Sequence, residues 1–285
     1  MDTRRVATAF AIGLPALFAI IFGGLWLAAL VSVVVFFASK EYSEVLSNKG
    51  FLPSQRIILL SSIIFGILAY FNKFNLVPLA LTVSALLAFM WVLFRGRQPY
   101  IANVATTLLG FVYCGWFPLH LLFLRNMGGD FDGWIIPSPM GAGYCVLILF
   151  AVLVTDTFCY IVGCRWGKNK LAPVISPNKT IEGSLGGTVM CMVFSLGIGL
   201  AIGLPWYHAM ILGLLIAVFA QIGDLCESMI KRDAGVKDSS NVLPGHGGFL
   251  DRCDSYILTI PVVYYYLQYC VNNNVLENLI KSFLG

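Results

Sequence analysis

From Val6 to Phe37 the chain runs for 32 residues without one charged side chain, and further long uncharged runs follow it. Hydrocarbon offers no partner to backbone N–H and C=O groups, so segments of this kind cross a bilayer only as helices or as a closed barrel. The short alternating apolar and polar segments of a barrel are absent. A hydrophobic share of 59% and a mean hydropathy of +0.84 lie beyond the range of soluble domains. The expected fold is therefore all-α, a polytopic membrane protein. MDTRR ahead of the first run reads as the start of a span rather than a signal peptide, because no small-residue cleavage site introduces a soluble domain.

The opening run exceeds one bilayer crossing and has Gly23-Gly24 near its middle, which predicts two spans joined by a tight turn. A polar loop is expected from Ser39 to Arg56, then spans at Ile57 to Tyr70, Val77 to Phe94 and Tyr100 to Leu124. His120 in the last of these reads as a packing residue. The segment Arg125 to Gly141, with its glycines, prolines and Trp134, suits the membrane surface. Further spans follow at Ala142 to Cys164, Ser184 to Leu204, His208 to Leu225 and Ser255 to Val271, giving about nine transmembrane helices. They divide into N-terminal transmembrane helices, 1–141, and a C-terminal transmembrane region, 142–285, that carries the polar chemistry. There is no internal repeat. The eight cysteines form no CxxC pair and accompany no His cluster, so they are read as reduced packing residues.

Charge placement orients the chain. With the N-terminus inside, 15 of the 18 Lys and Arg residues fall in cytoplasmic loops, and only Lys73, Arg125 and Lys281 lie outside. That places the chain in a cytoplasmic (inner) membrane, with the polar loops after 165 facing the cytoplasm. A net charge of +4 is too small and too dispersed for nucleic acid, but it suits loops that face anionic lipid.

The stretch from Gly223 to Asp254, GDLCESMIKRDAGVKDSSNVLPGHGGFLDRCD, breaks the apolar pattern, holding 10 of the chain's 32 charged residues in 32 positions. Asp224, Glu227, Ser228 and Lys231 recur at helical spacing and share one face at the end of a span. Asp251 and Asp254, three apart, share a face where the next span begins. Asp224, Asp251 and Asp254 brought together repel one another unless a cation sits between them, and hard oxygen ligands suit Mg²⁺. The bland alternative is a solvated cluster at helix ends. Pro244-Gly245-His246-Gly247-Gly248 allows close backbone approach to a ligand, or serves as a surface turn. Lys231, Arg232, Lys237 and Arg252 add cations. There is no Walker A sequence and no GxGxxG.

A second polar stretch runs from Asp156 to Gly187. Asp156 lies inside a span, where a charge is costly, and is expected to face a polar cavity, a cation or a partner, the bland alternative being a structural hydrogen bond between helices. Ser176-Pro177-Asn178-Lys179-Thr180 reads as a turn, after which Thr180 and Glu182 open the next helix. Such a helix start, with Lys179 beside it, suits phosphate; Lys168 and Lys170 read as ordinary positive-inside residues. Carboxylates, glycines and cations together are what transfer at a phosphorus centre requires.

These residues resemble a known family, the phosphatidate cytidylyltransferases or CDP-diacylglycerol synthases, with the signature S-x-x-K-R-x4-K-D-x-S-x2-L-P-x-H-G-G-x-x-D-R-x-D. Ser228, Lys231, Arg232, Lys237, Asp238, Ser240, Leu243, Pro244, His246, Gly247, Gly248, Asp251, Arg252 and Asp254 match it. The upstream element S-P-x-K-T-x-E-G, from Ser176 to Gly183, is also similar to the family's. The first 140 or so residues resemble it only in being apolar spans. Cys253 departs from the usual larger apolar residue or threonine, which bears on local packing.

The resemblance implies formation of CDP-diacylglycerol and pyrophosphate from CTP and phosphatidate, with Mg²⁺ as cofactor, by a homodimer embedded in membrane lipid. It implies catalytic roles for Asp224, Lys231, Arg232, Asp251 and Asp254, with metal on the three aspartates. Substrate contacts are expected from Ser176, Lys179, Thr180, Glu182, Lys237, Asp238, His246, Gly247, Gly248 and Arg252. His246 either contacts phosphate or braces the glycine turn. A cation-coupled transporter is the competing class, but matching interrupted repeats are absent. A CDP-alcohol phosphotransferase would need a D-G-x2-A-R spacing that is missing.

Overall fold

A computed structural model describes residues 3–128, 130–131, 138–240 and 247–272. Helix α1 (Thr3–Phe22) ends at Gly23, and α2 (Gly24–Ser47) begins beside it. The break expected at Gly23-Gly24 is thus present, with both glycines at positive φ, 64° and 50°, where a side chain would strain the backbone. Then come α3 (Gln55–Tyr70), α4 (Val77–Arg95), α5 (Tyr100–Gly110) and α6 (Phe117–Arg125), the last two joined by a π-helical turn over Phe111–Trp116. After a short antiparallel pair, β1 (Asp130–Phe131) with β2 (Ser138–Pro139), the chain continues as α7 (Met140–Trp166), β3 (Lys170–Ala172), β4 (Ser176–Thr180), α8 (Ile181–Ala201), α9 (Trp206–Asp233) and α10 (Leu250–Tyr266).

The described residues are all-α apart from two small hairpins. Among the described residues, six helical segments are long and apolar enough to cross a membrane: Gly24–Ser47, Phe74–Arg95, Tyr100–Arg125, Met140–Trp166, Ile181–Ala201 and Trp206–Asp233. Their outward faces expose large apolar side chains, among them Leu79, Leu93 and Val189, as lipid-facing helices do. The eight cysteines are free thiols.

The chain divides into two compact units, one of Met1–Phe123 with Cys226–Ile257, the other of Leu124–Leu225 with Leu258–Gly285. In the first, polar side chains fasten the ends of apolar helices. Tyr42 Oη donates to the Thr106 carbonyl at 2.9 Å, and the Ser54 N–H donates to Thr107 Oγ1 at 3.0 Å. His120 is fully buried, with Nδ1 2.9 Å from the Trp116 carbonyl, in keeping with a packing role.

Two local expectations are corrected here. The polar stretch beginning at Ser39 is not a loop until Asn48, because α2 continues to Ser47. Helix persists because one polar face of it is buried with partners: Glu41 is 1% exposed and Tyr42 not at all. Ser176–Thr180 is likewise a strand rather than a turn, paired antiparallel with β3 in the register Lys170↔Thr180 and Ala172↔Ser176. A two-stranded ribbon has open edges, so Pro177 is tolerated there, and the turn falls at 173–175 instead.

In the second unit, α8 presents a buried stripe of small residues every fourth position: Gly183, Gly187, Cys191, Ser195 and Gly199. A Cβ at Gly183 would stand 2.6 Å from the Cys159 carbonyl oxygen, and one at Gly187 2.8 Å from that of Thr155. Neither leaves room for a methyl group, so α7 and α8 approach at backbone distance, the small-residue mode of helix packing in membranes. Asp156, on α7, is exposed on the chain's own surface.

Candidate active site

The last turns of α9 and the first turn of α10 carry the motif in the first unit. Lys231 and Glu227 are one helical turn apart and form a buried ion pair, with side chains 11% and 1% exposed. Lys231 Nζ also donates to Asp251 Oδ1 at 2.5 Å. Two carboxylates therefore share one ammonium, leaving the trio one negative charge in excess unless a proton or another cation balances it. Among the described residues, Glu227 Oε1 is buried without a hydrogen-bond partner. Glu227 had been noted in the sequence only for its spacing; the geometry makes it part of the site.

Asp251 is held on every side. Its Oδ2 accepts from the Gly248 N–H at 2.7 Å, the Ser239 N–H at 3.1 Å and Ser239 Oγ at 2.8 Å. Burial alone would push its carboxyl up, but hydrogen bonds with Glu227, Lys231 and the Gly248 N–H, and the charge of Lys231, hold it well below the usual carboxylate range. The glycines are required by this arrangement. Gly247 has φ +75°, and a Cβ there would lie 2.6 Å from Asp251 Oδ2; a Cβ at Gly248 would lie 2.7 Å from the carboxyl carbon of Glu41.

Glu41, at the far end of α2, is the residue that the sequence did not reveal. Its Oε1 accepts from Ser240 Oγ at 2.6 Å and the Phe249 N–H at 3.0 Å, and its Oε2 from Ser239 Oγ at 3.1 Å and the Leu250 N–H at 2.8 Å. The N–H groups of Phe249 and Leu250 are orphan donors at the start of α10, so Glu41 caps that helix from a distant element and sets a negative charge at its positive end. Ser239 links the two carboxylates, since its hydroxyl faces both Glu41 and Asp251 but can donate to only one at a time.

The other predicted residues of this unit lie on or near its surface. Arg232 is exposed and donates to the Val236 carbonyl at 3.2 Å, closing the turn after α9. Lys237, Asp238 and Arg252 are exposed. Asp254 is half-buried, and its Oδ1 accepts its neighbour Ser255's N–H at 2.6 Å. His246, with Leu243 and Pro244, lies outside the described residues.

The second unit holds the upstream element. Lys179, on β4, pairs with Asp224 Oδ2 at 2.7 Å, both side chains about a third exposed or less. Thr180 caps α8, its Oγ1 accepting from the Gly183 N–H at 3.2 Å. The Glu182 carboxylate receives the N–H groups of Lys168 and Asn169 at 3.0 and 3.2 Å and Asn169 Nδ2 at 2.7 Å, fixing the loop that leads into β3. Ser176 begins β4, half-buried.

Among the described residues, no group of three or more His, Cys, Asp or Glu side chains is gathered around one ion position. The chemistry of the donors nevertheless fits a hard cation, because carboxylate oxygens are the ligands Mg²⁺ takes. Of the donors to Asp251, the Ser239 hydroxyl has a second acceptor in Glu41 and Lys231 a second in Glu227, so either can turn from Asp251 when another ligand takes its oxygens.

A family model described as the cytidylyltransferase family matches residues 3–270. The chain belongs to that family. This cytidylyltransferase-family chain is 34% identical over 291 residues to a phosphatidate cytidylyltransferase of Synechocystis sp., an alignment covering 94% of this chain and 97% of that one. It is 32% identical to phosphatidate cytidylyltransferase 5, chloroplastic, of Arabidopsis thaliana, over 93% of this chain and 71% of the relative. A phosphatidate cytidylyltransferase of Staphylococcus saprophyticus is 34% identical over 85% and 89%. The likeness thus extends through the N-terminal helices, where the sequence alone offered only apolar spans.

Proposed function

We propose that this cytidylyltransferase makes CDP-diacylglycerol and pyrophosphate from CTP and phosphatidate. The observation that carries the proposal is the buried trio of Lys231, Glu227 and Asp251, locked to the Gly247-Gly248 turn inside a chain whose family membership runs nearly end to end. A phosphate oxygen of phosphatidate attacks the α-phosphorus of CTP. A new P–O bond forms, the bond from the α-phosphorus to the bridging oxygen breaks, and pyrophosphate leaves with the electron pair. The lipid phosphate is already nucleophilic, so no strong general base is needed.

Asp224, Asp251 and Asp254 would hold Mg²⁺, which supplies neutralisation of the charge on the transferring phosphoryl group. Lys179, Arg232, Lys237 and Arg252 bind phosphate oxygens, and His246 contacts phosphate or braces the turn. Lys231 keeps Asp251 ionised and fixed in direction. Glu41 holds Ser239 and Ser240 to the start of α10, which keeps Asp251 and Gly248 in one geometry.

The full membrane count is nine spans, adding α1, α3 and α10 to the six long helical segments, with the N-terminus and the active site on the cytoplasmic side of the inner membrane. The working form is a homodimer. Purified protein incubated with labelled CTP, phosphatidate and Mg²⁺ should form a labelled lipid; a well-folded preparation that forms none refutes the activity. Labelling of Lys237→Cys from the outer face of sealed vesicles would overturn the topology. A monomeric mass for the active protein in detergent would overturn the dimer.

A further inference from the structure

Three arginines line a cavity that plays no part in the network above. It measures about 300 Å³ and is lined by Arg56 from the first turn of α3, Arg95 at the end of α4 and Arg97 just beyond it, with Trp91, Ser54 and Asn103 among its walls. No Asp or Glu lines it. Among the described residues, none of the three arginines forms a salt bridge. Three like charges around one small space repel, and what relieves that repulsion is an anion; guanidinium forks match phosphate oxygens in particular.

The walls are fixed from within. Asn103, 2% exposed, accepts the Leu52 N–H at 2.8 Å on Oδ1 and donates from Nδ2 to the Arg97 carbonyl at 3.0 Å, so the strap before α3 and the turn after α4 hang on one side chain. The Arg95 guanidinium lies over the Trp91 ring, 5.3 Å from its centre.

The setting selects among anions. Arg95 is the last residue of the membrane-crossing segment Phe74–Arg95, so the cavity opens where that segment leaves the hydrocarbon, the depth of lipid headgroups. Near the arginines in sequence, Leu93, Phe94 and Ile101 are 75%, 80% and 86% exposed, apolar side chains of the kind that meet acyl chains. A soluble phosphate would gain nothing from them.

We propose that the Arg56–Arg95–Arg97 cavity binds the phosphate headgroup of an anionic phospholipid from the surrounding bilayer, at a site separate from the 224–254 chemistry. Phosphatidylglycerol serves as the probe, because it is anionic and is not the proposed substrate, so the outcome does not depend on the reaction. The full chain is reconstituted in nanodiscs of equimolar phosphatidylcholine and phosphatidylglycerol, released, and examined by native mass spectrometry for retained lipid. The wild type should retain phosphatidylglycerol preferentially. Each Arg→Gln change should lower that retention about fivefold, and Arg56→Gln, Arg95→Gln and Arg97→Gln together on the order of a hundredfold. If the triple variant does not fold, the three single variants decide. Equal retention by the wild type and every folded variant overturns the site. Displacement of the lipid by inorganic phosphate would also overturn it, by showing a general anion pocket.

Discussion

Replacing Glu41 with Gln tests whether a carboxylate on α2 governs the geometry of the motif. The side chain keeps its shape, but one of its two oxygens becomes an NH₂ group. Each oxygen accepts one serine hydroxyl and one backbone N–H. The hydroxyls can turn away, and Ser239 already has Asp251 Oδ2 at 2.8 Å. The backbone N–H of Phe249 or Leu250 cannot turn, so one buried donor is left facing another donor, at a cost of about 1–3 kcal/mol. If that cost falls on the geometry around Asp251, kcat should drop by roughly ten- to a hundredfold, with KM for CTP little changed. The assay is steady-state formation of labelled lipid, alongside thermal unfolding in detergent. A Glu41→Asp variant that restores part of kcat would separate positioning from bulk stability. A Glu41→Gln enzyme with unchanged kcat and unchanged unfolding temperature would refute the reasoning.

Gly248→Ala should impair folding, because its methyl group would press on Ser239 and on the Glu41 carboxyl; a cost of about 1–3 kcal/mol, read from unfolding midpoints, is expected. Lys231→Met leaves Glu227 and Asp251 buried without their shared ammonium, and should destabilise by about 3–5 kcal/mol in the same measurement. Asp251 is held ionised below its ordinary range, so its contribution to stability is complete above about pH 4 and is lost as pH falls toward its folded value. An Asp251→Asn variant should therefore lose stability at neutral pH and show a flatter acid limb below pH 4 in a pH series of unfolding. Asp254→Asn should fold normally but lose on the order of a thousandfold in turnover, with an altered Mg²⁺ response.

What could be read from the chain without a structure was local. Lys231, Asp251, Gly247 and Gly248 stand within one short polar stretch, so spacing alone brings their chemistry to notice. The apolar runs located the helices for the same reason, although α3, at 16 residues, falls short of the length that marks a crossing on its own. Glu41 was illegible because its partners lie 198 to 209 residues away, and a carboxylate at the end of an apolar run looks like the start of a loop. Ser176–Thr180 misled in the opposite sense. Its proline and asparagine are turn residues by local preference, while the pairing that makes a strand of it comes from Lys170–Ala172. For Glu182 the sequence offers a substrate contact but no sign of the backbone N–H groups of Lys168 and Asn169 that its oxygens accept in the fold.

The reach of Glu41 also bears on how the protein is made. On the ribosome this carboxylate emerges nearly two hundred residues ahead of Ser239, its first partner in the motif. Until the last third of the chain is synthesised, the end of α2 carries an acid with nothing to receive it and must wait at the aqueous edge of the bilayer. The N-terminal helices are thus inserted early but finished late, and a chain stopped short of Leu250 retains an unsatisfied charge at the position where the finished protein buries one.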